Sequence, residues 1–420
     1  MEMKSFIFRT CKPSKKLEMR HLYGDEKLHF HSYLRLGTKS STLLIKGSVM
    51  VPTVQPFIED VDYKRPLHPH EVQIEVRAVG IDEQDVDRFS RSIPGESLGW
   101  QGAGIVAGLG SAVQGLQVGD AVMALRTSSG TFQTFFHAHS AAVVKVPAGT
   151  SFAEAAALPV AFSTAYHCLA NVARIQKEDK VLSHQASGDI GLAAVQIAQS
   201  LEATIYCTVS DDSQRQCILG MGIPPTQVLG TESWKKELSV VANSDKVDVI
   251  LNLSPRGVES KDLNCLSSFG HLIDLHGQGV LGPVSASTSN RTYSTVDIRS
   301  MALQNPRAIQ DTLQNLTTLL TQQKVRPLSP TKFGFSGLSN ALSEIRQGIP
   351  GPWVLEPRPT ELLPVAINPL GGHTFDPNAS YVLVGGFGGI GRSVARWMVT
   401  RGAKNFIFVA RSGASSDPAK

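Results

Sequence analysis

Two stretches of this chain place glycines where their number and spacing could cradle a pyrophosphate. In the first, Lys180-Val181-Leu182-Ser183-His184 reads as a strand, runs into Gln185-Ala186-Ser187-Gly188-Asp189-Ile190-Gly191, and continues as an apolar helix over 192–201. In the second, Tyr381-Val382-Leu383-Val384 runs into Gly385-Gly386-Phe387-Gly388-Gly389-Ile390-Gly391 and a helix over 392–401. Strand, glycine turn and helix in that order let backbone N–H groups meet an anion at a helix N-terminus. Asp189 interrupts the first of them. A carboxylate about 4 Å from a phosphate, at an effective dielectric near 20, repels it by roughly 4 kcal/mol. The alternative is an Asp189 turned to solvent as the helix N-cap, a position that suits aspartate.

An acidic residue about twenty positions beyond the last glycine favours a ribose 2′-hydroxyl, and an arginine there meets a 2′-phosphate. Asp211 stands at that place in the first unit, with Arg215 close by, and Arg411 stands there in the second. Candidate cofactor-binding residues are therefore Gly188, Asp189, Gly191, Asp211 and Arg215, and Gly385, Gly389, Gly391 and Arg411.

Around these turns the pattern is that of an α/β chain. Val72, Ile74 and Val76 alternate with Gln73, Glu75 and Arg77, as in a half-buried strand, and glycine-punctuated short strands follow, so this part reads as β-rich. Residues 153–170 are alanine-rich with helical spacing around Pro159. From Lys180 strands and helices alternate: a strand over 204–209, a helix over 214–220, a strand over 247–251, a helix over 263–269 and a strand over 271–275. Such alternation indicates parallel β-α-β units. Residues 307–347 look helical and return to a short strand at 353–355. The prolines of 356–377 mark a linker. The β-α-β unit after it cannot cover both faces of its own sheet and reads as the opening of a larger domain.

With 420 residues, 42% hydrophobic and 18% charged, the chain can bury two or three ordinary cores. A net charge of +4 over this length, without a basic stripe interleaved with aromatics, does not imply a nucleic-acid partner, and none is expected. No apolar run is long enough for a membrane span or a secretory signal. The first fifty residues, mildly rich in Lys and Arg, read as a solvated, poorly ordered leader. Five scattered cysteines suggest reduced thiols and a cytoplasmic setting.

The stretch Ala155-Ala156-Ala157-Leu158-Pro159-Val160-Ala161-Phe162-Ser163-Thr164-Ala165-Tyr166, with the Gly188-Asp189-Ile190-Gly191 turn, resembles the enoyl reductase domain of fungal highly reducing polyketide synthases. That domain belongs to the medium-chain dehydrogenase/reductase superfamily, near the quinone oxidoreductases. The likeness runs from about residue 56 to 356 and includes Val79-Gly80, Leu98-Gly99-Trp100, Val118-Gly119-Asp120 and Phe269-Gly270. Residues 381–392, with Val409-Ala410-Arg411-Ser412-Gly413, are similar to the opening of the ketoreductase that follows in those synthases.

The resemblance implies a GroES-like substrate domain at 56–168 and 307–355, a Rossmann nucleotide-binding domain at 169–306, a linker at 356–378 and a truncated second Rossmann β-α-β at 379–420. It implies hydride transfer from NADPH to the β-carbon of an enoyl thioester on an acyl carrier, then protonation at the α-carbon, in a possible homodimer. Thr164 joins the cofactor-binding set on this ground. Zinc plays no part, because Asp82 and Trp100-Gln101 stand where zinc-dependent relatives carry a catalytic Cys and a His-Glu pair.

The chain departs from the family at Asp189, which replaces its middle glycine, and at Ser210, Asp211 and Gln214, which replace a Gly-Ser pair and a lysine. The family's proton-donor positions fall on Val258 and Gly279, so the catalytic acid is unassigned. Lys261, Asp274 and His276 could substitute, though each reads more simply as a surface or loop residue. Three functions follow: an active enoyl reductase, a non-catalytic module of the same fold, and a free-standing quinone reductase, which the trailing ketoreductase start argues against.

Overall fold

The computed structural model describes residues 31–35, 43–44, 57–59, 66–82, 84–86, 98–127, 130–242, 246–254, 257–275, 280–281, 290–347, 351–358, 361–366, 375–385, 388–400 and 402–409. The alternating segment is strand β1 (Glu71–Ile81), with Val72, Ile74 and Val76 buried and Arg77 exposed. It pairs antiparallel with β2 (Gln101–Leu109), β2 with β3 (Ala121–Leu125), and β4 (Phe135–His139) returns onto β1. Strand β5 (Val143–Lys145) extends β3. A barrel-like wall of this kind buries one face, which is why its strands alternate.

Helix α1 (Phe152–Tyr166) begins at a capping box, in which Ser151 accepts from the Glu154 N–H and Glu154 accepts in return from the Ser151 backbone. Nearly every residue after the first turn is buried, so the helix is apolar all round rather than amphipathic. Pro159 cannot donate within the helix and its ring crowds the preceding turn. The next N–H, that of Val160, donates to Gln101 Oε1 at 2.8 Å, tying β2 to α1. Gln101→Ala leaves that buried donor without its partner and is expected to cost about 2 kcal/mol. Urea denaturation of the two proteins measures this.

The glycine turn opens six parallel strands: β6 (Lys180–His184), β7 (Thr204–Val209), β8 (Val228–Gly230), β9 (Val247–Asn252), β10 (Leu266–Asp274) and β11 (Thr292–Thr295). Their order in the sheet is β8-β7-β6-β9-β10-β11, which is the Rossmann order 3-2-1-4-5-6. Helices α2 (Asp189–Ser200), α3 (Asp212–Gly220) and α4 (Trp234–Val241) follow the first three strands, and α5 (Ile298–Gln304) follows β11.

The helix expected over 263–269 is shorter and earlier, at Ser260–Asn264. Residues 266–269 belong to β10, which passes through Phe269 in a left-handed conformation, φ +66°, with its ring exposed. The Phe-Gly step bends the strand where the sequence reading placed a boundary.

Helices α6 (Gln310–Thr321) and α7 (Leu338–Arg346) lead back to the first sheet. There β12 (Thr331–Phe333) pairs parallel with β13 (Trp353–Leu355), and β13 lies antiparallel on β1. The leader and linker spans also carry strands. His31–Arg35, Leu362–Ala366, Phe57–Glu59 and Leu43–Leu44 form a four-stranded sheet in that order, so two segments expected to be irregular pair with each other. Backbone pairing between segments three hundred residues apart leaves no local periodicity to read.

At the far end, β14 (Ser380–Val384) and β15 (Asn405–Val409) pair in parallel, joined by α8 (Gly389–Thr400). Val384, Ile390, Trp397 and Ile407 are exposed, as expected of one β-α-β unit taken from a larger sheet. Among the described residues, no helix is long and apolar enough to cross a membrane.

Candidate functional site

The turn after β6 is built by β7. Gln185 takes a left-handed conformation, φ +51°, and its N–H donates to Thr208 Oγ1 at 3.0 Å, while the Ala186 N–H donates to the Thr208 carbonyl. Gly191 is required by packing, because a Cβ there would stand 2.3 Å from the Ala186 carbonyl oxygen. Gly188 is the opposite case. It is the N-cap of α2 without a side-chain cap, and a Cβ on it would meet nothing within 4 Å. Close helix–strand approach at one glycine and open space at the other stand together at a twelve-residue helix N-terminus. Backbone N–H groups at a helix start beside open space suit an anion.

Asp189 does not serve as the N-cap, since Gly188 holds that position. It is the first residue of α2, and its Oδ1 accepts from the Ile190 N–H at 2.8 Å. The carboxylate therefore occupies one of the free donors of the helix N-terminus.

Asp211 is exposed and caps α3, accepting from the Gln214 N–H at 2.9 Å. Arg215 Nη1 donates to the Val228 carbonyl at 2.8 Å. Val228 pairs with Cys207, two residues before the strand end at Val209, so this bond draws the guanidinium back from the edge where a ribose would lie. Thr164 is buried, with its hydroxyl donating to the Val160 carbonyl of its own helix.

In the second unit Gly385 has φ +78° and its N–H donates to the Val409 carbonyl, while Gly389 opens α8 and Gly391 lies in its first turn. Arg411, His276 and Gly279 lie outside the described residues, as do the side chains of Val258 and Lys261.

Asp274 corrects the reading of a surface residue. It is fully buried at the end of β10 and accepts from Asn252 Nδ2 at 3.0 Å and from the Tyr293 hydroxyl at 3.1 Å. The cluster joins the ends of β9, β10 and β11. Burial, then the Asp274 charge, pushes the Tyr293 hydroxyl above its ordinary range.

The sequence reading missed Asp85 and Arg299. Asp82 follows β1, and its Oδ2 accepts from both Nε (3.0 Å) and Nη2 (2.8 Å) of Arg299 on α5, with side-chain exposures of 6% and 14%. Asp85 Oδ1 accepts from the Gly99 N–H at 2.9 Å, and its Oδ2 from the Asp82 N–H at 3.2 Å. Burial, reinforced by the Asp82 charge, pushes the Asp85 carboxyl up to about 8. An Asp-x-x-Asp pair closing a strand was the available signal; its cationic partner, 217 residues away, left none. Beside it, Trp100 packs with Val160, Ile298 and Leu313 under the Arg126 guanidinium, 4.7 Å from its ring. Among the described residues, no cluster of three or more His, Cys, Asp or Glu could hold a metal, and Cys168, Cys207, Cys217 and Cys265 are free.

Comparison with known proteins places these halves. Residues 68–166 match the alcohol dehydrogenase GroES-like domain, 231–349 the zinc-binding dehydrogenase family model, and 379–420 the KR domain. The chain is 53% identical over 365 residues to the highly reducing polyketide synthase otaA of Aspergillus carbonarius, covering 87% of this chain and 14% of that protein. It thus spans a small part of the curated relatives it matches. The CurK enoyl reductase crystal structure superposes with a TM-score of 0.66 at 25% identity, covering 76% of this chain and all of that one. Escherichia coli quinone oxidoreductase complexed with NADPH shares the fold, with a TM-score of 0.60 at 21% identity over 76% of this chain and 100% of that one. With both sheets, their connection and the trailing β-α-β unit accounted for, the chain belongs to the enoyl reductases of the medium-chain dehydrogenase/reductase superfamily, in the form carried by highly reducing polyketide synthases and followed by the start of a KR domain.

Proposed function

We propose that this module reduces the double bond of an α,β-unsaturated thioester presented by an acyl carrier, with NADPH bound over the turn between β6 and α2. The observation that carries the reading is the pairing of Gly191, which a Cβ would drive into the Ala186 carbonyl, with the open space at Gly188. Together they bring backbone N–H groups to an anion at the centre of the Rossmann sheet. The neighbour with NADPH in its crystal supports the choice of cofactor by fold.

NADPH supplies a hydride for the β-carbon of the acyl chain. The chain's own residues bind and orient. The turn would hold the pyrophosphate, Asp211, which caps the helix after β7, would be the residue available to the ribose, and the Asp274, Asn252 and Tyr293 cluster braces the ends of β9, β10 and β11. Trp100 and its apolar neighbours exclude water from the junction of the halves.

A second reading, a non-catalytic module of the same fold, draws support from Asp189, whose carboxylate already holds the Ile190 N–H. Titration of NADPH and NADH against this chain and its Asp189→Gly variant separates the two. Binding by the unmodified protein, tightened about tenfold or more in Asp189→Gly, is the expected result. Binding by the variant alone favours the second reading. Absence of binding by either removes the cofactor site altogether.

A further inference from the structure

We infer that Glu361 anchors the segment leaving the reductase fold, so that residues 356–378 act as a strap held to both units they join instead of a free tether. The inference concerns how the chain passes from one unit to the next and does not depend on whether the cofactor site binds.

The stretch around Glu361 is proline-bearing and reads as solvated linker, yet this carboxylate is only 8% exposed. Its Oε2 accepts from the Phe335 N–H at 3.1 Å, and its Oε1 accepts from the Ser336 N–H at 2.6 Å and the Ser336 hydroxyl at 2.5 Å. These donors open a 3-10 turn (Phe335–Gly337) that runs into α7. The local chain gives them no side-chain cap, because the N-cap position is held by Gly334. That glycine also makes the room: a Cβ on it would stand 2.4 Å from Glu361 Oε1 and 3.2 Å from Arg358 Cδ. Bonds to an ionised acceptor, shielded from water, hold more firmly than neutral surface contacts. The turn they grip belongs to the core, since Phe335 packs among Leu338, Leu342, Ile345 and Trp353.

The residues that follow continue the attachment. Leu362–Ala366 pairs directly with 31–35 and 57–59. At the far end Phe375 sets its ring edge-on to Tyr381 at 5.0 Å and to Trp397 at 5.5 Å. Asn405 Nδ2 donates to the Pro377 carbonyl at 3.1 Å, and the Tyr381 hydroxyl to the Asp376 carbonyl at 3.1 Å. The strap is thus tied to the first sheet's helix α7 at one end and to the β14-α8-β15 unit at the other.

A carboxylate that merely caps a helix would make the same bonds, and the two roles part when the cap is supplied from elsewhere. Gly334→Asp supplies it. Aspartate suits an N-cap, its Cβ takes the place of Glu361 Oε1, and like charge keeps Glu361 out. The turn then keeps a cap while the strap loses its anchor.

The test is hydrogen exchange read by mass spectrometry on the full chain, for the wild type, Glu361→Ala, Glu361→Gln and Gly334→Asp. Peptides covering 329–346 and 357–367 report on the turn and the strap, and peptides covering 71–81 and 192–201 serve as internal references. In Glu361→Ala, exchange is expected to quicken about tenfold or more in both 329–346 and 357–367, with the references within about twofold of wild type. In Gly334→Asp the quickening should be confined to 357–367. Glu361→Gln keeps one acceptor oxygen and should fall between the wild type and Glu361→Ala.

An unchanged 357–367 peptide in both Glu361→Ala and Gly334→Asp overturns the inference, since strand pairing alone would then hold the segment. Quickening confined to 329–346 in Glu361→Ala also overturns it and leaves Glu361 a helix cap. Equal quickening of every peptide, references included, overturns it as well, because that reports a general loss of stability. Should Glu361→Ala fail to fold, Glu361→Gln and Gly334→Asp carry the comparison with the same pattern expected.

Discussion

Gly191→Ala is expected to lower the unfolding free energy by about 3 kcal/mol and to abolish dinucleotide binding. The added methyl would stand 2.3 Å from the oxygen, 2.5 Å from the carbon and 2.6 Å from the Cα of Ala186. All three are backbone atoms, so no side chain can turn aside. Either α2 moves off the end of β6 or the turn opens, and overpacking of this kind costs about 1–3 kcal/mol or more.

Gly188→Ala is the matching control. Its methyl meets nothing within 4 Å, and the native φ of −75° is open to any residue. Stability should stay within about 1 kcal/mol of wild type. NADPH affinity should nevertheless fall, because the methyl enters the space assigned to the pyrophosphate. Urea denaturation and NADPH titration on the same two proteins measure both quantities. Weakened binding in Gly191→Ala but full binding in Gly188→Ala would move the pyrophosphate elsewhere.

Asp85→Asn is expected to flatten the dependence of stability on pH between about 4 and 8. Burial, with the Asp82 charge behind it, raises the Asp85 carboxyl from 3.8 to about 8, against the lowering effects of the Gly99 and Asp82 N–H groups and of Arg299. An acid whose pKa is raised by folding binds more protons folded than unfolded. Its contribution is therefore complete below the unfolded value and is lost as pH rises toward 8.

The wild type should lose on the order of 5 kcal/mol across that window from this one group. Asn keeps an oxygen for one of the two N–H donors and cannot ionise, so the variant should equal or exceed the wild type at pH 8. Thermal or urea unfolding at pH 5 and pH 8 reads the difference. Parallel curves for the two proteins would mean that Asp85 is ionised throughout.

Much of the fold was legible because it is written in short-range pattern. The alternation of Val72, Ile74 and Val76 specified β1, and strand, glycines and apolar run specified β6, the turn and α2. Failures came where backbone conformation or pairing departs from side-chain period. A left-handed Phe269 carries β10 through a point that looked like a boundary. Residues 362–366 pair with 31–35 and 57–59, although their prolines read as linker.

The candidate site divides in the same way. Gly188, Asp189 and Gly191 could be named from the sequence, since one turn and one helix start contain them. Asp274 looked like a surface residue because its partners, Asn252 and Tyr293, come from other strands.

By itself, the sequence determined the class of the protein: two halves of different strand pattern, a Rossmann turn carrying a carboxylate, and the opening of another such unit. Those features depend on residues a few positions apart, whose backbone preferences and apolar spacing act locally. Only the tertiary structure decided that Asp189 begins its helix instead of capping it, that Arg215 leans away from the sheet edge, and that Arg299 is pinned by Asp82 from the other half. Electrostatic pairing depends on distance in space, and folding alone brings residues 82 and 299, 217 positions apart, into contact.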